Sequence, residues 1–368
     1  MHHLIDLSSG GVRSPTGDVS LPFRSQFGGK SELRVAAYRS ALRSVAILLF
    51  CVLAHVAYAA PSGDVLDQIF APTSFWYTRL PIDAPLHPNS ENFVRDFIRQ
   101  FHKFYGTVGI NTTAYSSPIY VVANNVETTP VAQWDCQNRG FKDQQLEQQW
   151  RAVPIPPYAE PADGTDSEMT VYQPGTDTMW EFWQARKENG LWKACWGGRM
   201  LSVSKSNGIW PRPYGTTATG LPFVGGEITA DELSHGVINH VMGVALVETA
   251  SANIYSWPAN RSDGFNPLNL PNRIPEGLRF RLDPTIDVDA LRMHPVGKII
   301  AKAAQTYGFV VWDKAGAIVL RAENPKSFTT KGFPDPYRAI WNGTPTYEIL
   351  SGFPWERLQF LPINYGRQ

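Results

Sequence analysis

Residues 178–196, TMWEFWQARKENGLWKACW, carry the pattern that decides the local fold. Asn189-Gly190 is the preferred central pair of a two-residue hairpin turn, because both residues tolerate the positive φ values that a type I′ turn requires. The residues on either side are rich in the aromatic types that favour strands. The stretch therefore predicts a β-hairpin that turns at Asn189-Gly190.

The position of the turn fixes the register of this hairpin, starting with Glu188 opposite Leu191. On one face the register gives three cross-strand pairs: Ala185 with Ala194, Trp183 with Trp196, and Glu181 with Gly198. Phe182, Gln184 and Cys195 lie on the other face. Because both faces hold large apolar side chains, we expect a central strand covered on one side by the core and on the other by a second layer or a ligand groove.

The remaining sequence after residue 60 is divided by Gly, Pro and Asn into short segments typical of strands. Strands are expected at 119–123, 169–173, 178–186, 191–196, 200–204, 238–248, 308–312 and 317–322. Helical spacing of apolar residues predicts helices over 91–105 and from about Pro295 to Tyr307, and Thr229 with Glu232 predicts a capping box. The pattern favours one mainly β domain, a two-layer sandwich or jelly roll with two or three peripheral helices.

Residues 35–59 have the pattern of an export signal. Residues 39–43 are basic, 45–56 are apolar, and 57–59 supply small residues for cleavage. The apolar run is shorter than the about 20 residues of a membrane span. We expect residues 35–59 to be a signal peptide and 60–368 to be a secreted or periplasmic β-rich domain without a membrane span. Residues 1–34 are either a disordered leader or the result of a start codon assigned too early.

Charge and cysteine content restrict the kind of partner and site. After residue 59 the chain has 27 basic and 30 acidic residues, so the basic surface that nucleic acid requires is not expected. Cys136 and Cys195 are the two cysteines of this part. In an oxidising compartment two cysteines most simply pair, which predicts a Cys136–Cys195 disulfide. Motifs for zinc, dinucleotides and phosphates are lacking, so we predict neither a metal nor a cofactor.

Glu181 is the first candidate for catalysis. The predicted register places its carboxyl group beside Trp183 and Trp196 and opposite Gly198, which leaves space above it. Apolar surroundings raise the pKa of a carboxyl group toward values suited to acid catalysis. Trp183 and Trp196 would stack on a sugar ring. The alternative is that both Trp side chains belong to the core and that Glu181 is a rim residue or part of an ion pair.

Two further candidates lie downstream. Alternation in residues 238–242 places His240 among apolar side chains, where it is either a catalytic partner of Glu181 or a hydrogen-bonded core residue. The loop 257–264, WPANRSDG, brings together Trp257, Arg261 and Asp263, and such loops form either sites or locally paired turns. Asp263 is therefore a second possible partner of Glu181, with Trp257 and Arg261 as substrate contacts.

Arg279 and Arg281 alternate along a strand and would contact a carboxylate or sulfate group of a ligand. The alternative for both is a solvated strand face. All twelve Trp residues of the chain lie after residue 59. A Trp-rich exported surface is typical of glycan binding, but a Trp-rich core has the same composition.

Several short motifs are spread over most of the exported part: YTRLP at 77–81, APLHPNS at 84–90, MWE at 179–181, GLP at 220–222, WPA at 257–259 and YG at 307–308. With these motifs the chain resembles a family of bacterial exported proteins of unassigned activity. In that family Arg-His commonly follows Trp-Pro-Ala, where this chain has Asn260-Arg261. The resemblance implies export, a single domain and a β-rich fold.

These observations lead to three functional expectations. The first is an exported carbohydrate-active enzyme, a glycan hydrolase or lyase that acts on an extracellular polysaccharide, with Glu181 as acid or base and His240 or Asp263 as its partner. In a lyase, Arg279 or Arg281 would neutralise a uronate. The second is a glycan- or surface-binding protein without catalysis. The third is a structural exported protein without a ligand.

Overall fold

The computed structural model describes residues 66–367. The predicted leader and signal peptide, residues 1–34 and 35–59, lie outside this range. Within it the chain forms thirteen strands in three mixed sheets and seven helices. The expectation of a β-rich fold is confirmed. The two-layer sandwich or jelly roll is not confirmed, since each sheet contains at least one parallel pair.

The largest sheet has six strands: β1 (Gly109–Asn111), β9 (Met242–Leu246), β10 (Arg279–Leu282), β11 (Phe309–Lys314), β12 (Val319–Arg321) and β13 (Leu358–Phe360). Their order in the sheet is β1-β12-β9-β11-β10-β13. The second sheet has the order β2-β4-β5-β8 and consists of β2 (Ile119–Val121), β4 (Met169–Gln173), β5 (Thr178–Trp183) and β8 (Trp196–Leu201). The third has the order β3-β7-β6 and consists of β3 (Val131–Gln133), β6 (Arg186–Glu188) and β7 (Leu191–Ala194).

Two of the helices are long, and both were predicted. The helices are α1 (Ser90–Lys103), α2 (Gln144–Gln149), α3 (Phe223–Gly226), α4 (Ala230–His235), α5 (Pro295–Thr306), α6 (Lys326–Thr329) and α7 (Tyr337–Ile340). Single 3-10 turns occur at Phe75–Tyr77, Pro174–Thr176, Val203–Lys205, Val288–Ala290 and Trp355–Arg357. The sequence predicted two or three helices, which is fewer than the structure has. Four of the seven helices have only four to six residues and lie in segments without a clear apolar period that would predict them.

The two long helices form for the reasons that their sequences indicate. In α1, Phe93 and Phe97 lie one turn apart on the buried face, and the Phe97 ring stacks on Trp355 at 5.3 Å. Pro295 occupies the first turn of α5, where its missing N–H costs no hydrogen bond. Gly308 follows the helix at φ +77°, and an added Cβ would lie 2.4 Å from the Phe280 carbonyl oxygen. The capping box between Thr229 and Glu232 at the start of α4 is also confirmed.

The hairpin forms with the expected register. Asn189 and Gly190 have φ values of 50° and 81°, and Glu188 pairs with Leu191. Trp183 pairs with Trp196 and Glu181 with Gly198, as predicted. The expected pair of Ala185 and Ala194 is wrong, because the strand turns aside at Gln184, whose φ is 51°. The amides of Gln184 and Ala185 instead donate to the carbonyls of Asp166 and Ser167.

The predicted disulfide between Cys136 and Cys195 is also present, with a Cα to Cα distance of 5.6 Å. It ties the segment after β3 to the junction between β7 and β8. Apolar side chains of the four-stranded sheet, among them Met179 and Met200, share a buried cluster with Val310 and Trp312 of β11. The four-stranded and six-stranded sheets therefore contribute to one core. Between residues 66 and 367 no helix has the length and apolar character to cross a membrane.

Candidate functional site

An open cleft of about 660 Å³ lies between the hairpin and the end of β11. Its lining includes four residues that the sequence singled out: Trp183, Trp196, Arg261 and Asp263. Phe141 and the segment 213–218 complete much of the wall, apart from Tyr214. We call this cavity the aromatic cleft. Its volume lies in the range of about 300 to 1,000 Å³ that small-molecule sites occupy.

The aromatic wall of the cleft follows from the hairpin register. Trp183 on β5 and Trp196 on β8 lie directly opposite each other and are both partly exposed. The Trp196 ring stacks on Tyr214 at 6.0 Å, and the guanidinium of Arg139 lies 5.4 Å from the Trp196 ring centroid. These contacts hold the Trp196 ring, and the side chain remains part of the cleft lining. A partly exposed Trp pair held in this way is suited to stacking on a planar or ring-shaped ligand.

Arg261 shapes another part of the wall. All five N–H groups of its guanidinium donate to backbone carbonyls of one segment: Pro213, Tyr214, Gly215, Thr217 and Ala218. Burial lowers the pKa of Arg261 to about 10, so it remains charged at neutral pH. Because its donors are occupied, this side chain holds the segment 213–218 in place.

Four carboxyl groups line the cleft, and two of them form ion pairs; the four are Asp143, Asp166, Asp263 and Asp313. The Asp263 side chain is 55 % exposed and lies 3.4 Å from the Lys314 ammonium. The Asp313 side chain is 18 % exposed, and its carboxylate contacts the Arg321 guanidinium at 3.1 Å. Burial raises the pKa of Asp313 to about 6, although Arg321 opposes this, and the charge of Asp263 contributes to the increase. Of these carboxyl groups, Asp263 is thus exposed and Asp313 largely buried, and the negative charge of Asp263 favours the protonated form of Asp313.

Asp313 was missed in the sequence. The signal that could have identified it is an acid at the end of an otherwise apolar strand, FVVWD at 309–313. The pairing of β11 with β9 has a bulge between Val311 and Asp313. A bulge shifts the side chains after it relative to the regular alternation, and such shifts are frequent beside active sites. Alternation alone therefore does not place Asp313.

A further carboxyl group, that of Glu276, lies next to the Asp263 backbone and outside the lining of the cleft. It is fully buried, and one of its oxygens accepts a hydrogen bond from the Asp263 amide at 3.2 Å. Burial, together with the negative charge of Asp263, raises the pKa of Glu276 to about 8. Glu276 is therefore mostly protonated at neutral pH and does not add a second negative charge beside Asp263.

Glu181 lies behind the cleft wall. Its side chain has no exposed surface, and it accepts hydrogen bonds from Trp210 Nε1 at 3.1 Å and from Thr216 Oγ1 at 2.7 Å. Burial raises the pKa of Glu181 to about 7, and these hydrogen bonds limit the increase. The space expected above Gly198 is filled, because an added Cβ would lie 3.1 Å from Trp210. Glu181 contacts the cleft through Thr216, which lines it.

His240 lies in a different and smaller cavity of about 270 Å³. Its Nε2 is 3.2 Å from Glu232 Oε2, and its Nδ1 is 2.9 Å from the Val241 carbonyl oxygen. Burial alone would lower the pKa of His240, but the charge and hydrogen bond of Glu232 outweigh it, and the pKa is raised. The structure therefore places His240 apart from Trp183, Trp196 and Asp263.

The remaining predicted contacts also lie outside the aromatic cleft. Trp257 packs edge to face against Phe75 at 5.5 Å and is not among the residues that line either cavity. Arg279 and Arg281 are buried in β10, so their interpretation as a solvated face is wrong. Their guanidinium groups donate to Tyr307 O, Pro81 O, Ile82 O and Gln359 Oε1.

No group of three or more His, Cys, Asp or Glu side chains in residues 66–367 is arranged to hold a metal ion. Comparison of the chain with protein-family models, with curated proteins and with solved structures finds no significant match. The functional assignment therefore depends on the residues of the site.

Proposed function

We propose that this protein is an exported carbohydrate-active enzyme that hydrolyses glycosidic bonds in the aromatic cleft. The observation that carries the proposal is a Trp pair, Trp183 and Trp196, in one cleft with four carboxyl groups, of which Asp263 and Asp313 are the proposed catalytic pair. Glycoside hydrolases commonly use two carboxyl groups in different protonation states on either side of the scissile bond. Sugar rings present an apolar face that stacks on Trp.

The two carboxyl groups have environments suited to different roles. Asp313, with its pKa raised by burial to about 6, is the proposed acid, which protonates the glycosidic oxygen of the leaving sugar. Asp263, whose side chain is more than half exposed, is the proposed carboxylate that attacks the anomeric carbon or activates a water molecule. In either case the C–O bond breaks and one water molecule is consumed.

Glu181 has a positioning role in this proposal. A direct acid or base role would require Thr216 and Trp210 to release its carboxyl group from the buried side of the wall. In the arrangement described, Glu181 holds the Thr216 hydroxyl. His240 is not part of the proposed chemistry, because it lies in the other cavity.

Hydrolysis is proposed on the strength of the carboxyl groups, since two cations that a lyase would use, Arg139 and Lys314, also line the cleft. A polyuronate lyase requires cations that neutralise the uronate carboxyl group. Arg279 and Arg281, the residues expected in that role, are buried in β10 outside the cleft. All N–H donors of Arg261 are occupied by backbone carbonyls.

Export is supported by the predicted signal peptide and by the Cys136–Cys195 disulfide, which is typical of oxidising compartments.

A second candidate function is glycan binding without catalysis. It is favoured by the ion pairs of the two carboxyl groups, Asp313 with Arg321 and Asp263 with Lys314. Paired carboxylates are less available for proton transfer than free ones. This candidate uses the same Trp pair and differs only in the absence of turnover.

A polysaccharide panel separates these functions. The purified protein is incubated with neutral, N-acetylated and uronate-containing glycans, and new reducing ends and product masses are measured alongside binding by calorimetry. Saturated products with new reducing ends support hydrolysis. Binding without products supports the second candidate, and unsaturated uronate products would show a lyase. Neither binding nor cleavage of any glycan would contradict both proposals.

A further inference from the structure

The smaller cavity, which we call the acidic pocket, has a charge pattern that differs from that of the aromatic cleft. Four acidic residues line it, namely Asp67, Glu227, Asp231 and Glu232, and the described lining includes neither Lys nor Arg. Its histidines are His235 and His240. A cavity with four acidic residues and no Lys or Arg favours a positively charged ligand.

His240 and Glu232 neutralise each other within this pocket. The ring nitrogens of His240 face two atoms that only accept hydrogen bonds, the Val241 carbonyl oxygen and Glu232 Oε2. Both nitrogens must carry a proton to satisfy these bonds, so His240 is an imidazolium. The Glu232 carboxylate also accepts from the amides of Thr229 and Asn239. This pair is internally satisfied, and Asp231 Oδ2 lies 3.1 Å from His235 Nδ1, which leaves Asp67 and Glu227 as the acidic groups available to a ligand.

Glu227 provides an independent indication of a ligand. Its side chain is only 1 % exposed, and Oε1 accepts a hydrogen bond from the Ser117 amide at 2.5 Å. Oε2 is buried and has no hydrogen-bond partner among the described residues. In the ionised group this buried oxygen is an acceptor without a donor, which is unfavourable. A ligand that brings an N–H donor to Oε2 would relieve this.

The rim of the pocket is suited to an alkyl chain. Leu66, Val224 and Val237 contribute apolar surface to the lining, and Val237 is half exposed. The volume of about 270 Å³ lies just below the range of about 300 to 1,000 Å³ for drug-sized ligands. A short chain therefore fits better than a large ring system.

We propose that the acidic pocket binds a short alkyl amine, whose primary ammonium group donates a hydrogen bond to Oε2 of Glu227 while its chain lies against the apolar rim. An ammonium group has three donors and no acceptor, which matches a cavity that supplies carboxylate oxygens. Such a group occurs in free amines and in lysine side chains. The site is separate from the aromatic cleft and does not depend on hydrolysis.

Calorimetry with n-butylamine as the probe tests this site on the full-length protein. We expect saturable binding with a Kd of about 1 mM or lower. The neutral isostere 1-butanol and the anion butyrate, which has a similar length, should not bind. Equal binding of 1-butanol, binding of butyrate, or no binding of the amine would contradict the proposal. A comparison of N-acetyllysine amide with n-butylamine distinguishes the two sources. Tighter binding of N-acetyllysine amide indicates a lysine side chain, and tighter binding of n-butylamine indicates a free amine.

Two variants separate the site from non-specific charge attraction. Glu227→Gln keeps an oxygen for the Ser117 amide but removes the carboxylate, and it should weaken n-butylamine binding about tenfold or more. Glu91→Gln, whose side chain is 92 % exposed on α1, should leave the affinity unchanged. If Glu227→Gln does not fold, Val237→Trp on the rim should block entry and abolish binding. Wild-type affinity in a folded Glu227→Gln or Val237→Trp variant would overturn the proposal.

Proton release provides a second measurement. Burial raises the pKa of Glu227 well above its ordinary value, whereas a bound ammonium group favours the ionised carboxylate, so binding should release any proton that the carboxyl group carries. The apparent binding enthalpy should therefore differ between phosphate and Tris buffers. The other titratable groups that face the pocket are Tyr77, Asp67, Asp231, Glu232, His235 and His240. Persistence of the full buffer difference in Glu227→Gln would assign the proton to one of those groups and contradict the role of Glu227.

Discussion

The hydroxyl of Thr216 donates a hydrogen bond of 2.7 Å to the carboxyl group of Glu181, and this bond connects a fully buried acid to the wall of the aromatic cleft. The same carboxyl group accepts from the indole N–H of Trp210. Glu181 thus supports the cleft from behind, between the hairpin and the segment that Arg261 holds. Its raised pKa has a consequence for the stability of the whole domain.

The free energy of unfolding should fall as the pH rises from about 5 to about 8. Burial raises the pKa of Glu181 and Glu323 to about 7 and that of Glu276 to about 8, from a value of 4.5 in the unfolded chain. The folded state therefore binds more protons than the unfolded state in this window, and stability falls with increasing pH. Guanidinium denaturation at several pH values between 5 and 8 measures the trend.

Glu181→Gln isolates the contribution of one group to this trend. The variant should reduce the loss of stability between pH 5 and 8 by roughly 3 kcal/mol, because its amide does not titrate. Glu91→Gln on the surface of α1 serves as the control and should reproduce the wild-type trend. A wild-type stability that increases over this pH range would show that these carboxyl groups are ionised in the folded protein.

Trp183→Ala and Trp196→Ala should each weaken glycan binding about tenfold or more, because each removes one surface on which a sugar ring stacks. Trp257→Ala is the matched control, since Trp257 is also partly exposed but packs on Phe75 outside the cleft. Affinity is measured by calorimetry with a glycan that the wild type binds. If Trp257→Ala loses affinity and the other two variants retain it, the binding surface lies elsewhere.

The local pattern around residues 178–196 predicted more of the fold than any other part of the sequence. The turn at Asn189-Gly190, the pairing of Trp183 with Trp196 and the burial of β5 on both faces follow from short-range rules and are confirmed. The pair Ala185–Ala194 was wrong because Asp166 and Ser167, which are distant in sequence, bind the amides at 184 and 185. Such long-range competition has no signature in the hairpin itself.

The site was only partly predictable for the same reason. The sequence identified Trp183, Trp196, Arg261 and Asp263, which the structure brings into one cleft. It did not identify Asp313, whose position depends on a bulge in β11. It also did not separate His240 from Glu181, because the loops between them determine which cavity each residue approaches. Arg279 and Arg281 show strand alternation, yet coverage of β10 on both faces buries them.

Arg261→Lys should destabilise the protein by about 2 kcal/mol, because a lysine ammonium cannot reproduce five hydrogen bonds to carbonyls at different positions. The loss should be concentrated in residues 213–218, where amide hydrogen exchange should become faster. Arg338→Lys on an exposed face of α7 is the control. Unchanged exchange in 213–218 would mean that other contacts hold this part of the cleft wall.

Removal of the disulfide should cost about 4 kcal/mol of unfolding free energy, as estimated from chain entropy for a separation of 59 residues. The double variant Cys136→Ser/Cys195→Ser should show this loss in chemical denaturation. Wild-type protein in reductant should approach the same value, whereas the variant should be insensitive to reductant. Because Gln137, Arg139 and Phe141 line the cleft next to Cys136, glycan affinity should also decrease. Equal stability of the wild type and the variant would contradict this account of the bridge.

The central claim, hydrolysis by Asp263 and Asp313, is tested most directly by kcat on a glycan that the wild type cleaves. Asp263→Asn and Asp313→Asn should each lower kcat about a hundredfold or more while glycan affinity stays within about threefold. Asp289→Asn, a change at a surface carboxylate that is 73 % exposed, should leave both unchanged. In the wild type, kcat should fall as the pH rises above about 6, because Asp313 then loses the proton it donates. Full turnover by folded Asp263→Asn and Asp313→Asn variants would contradict the account.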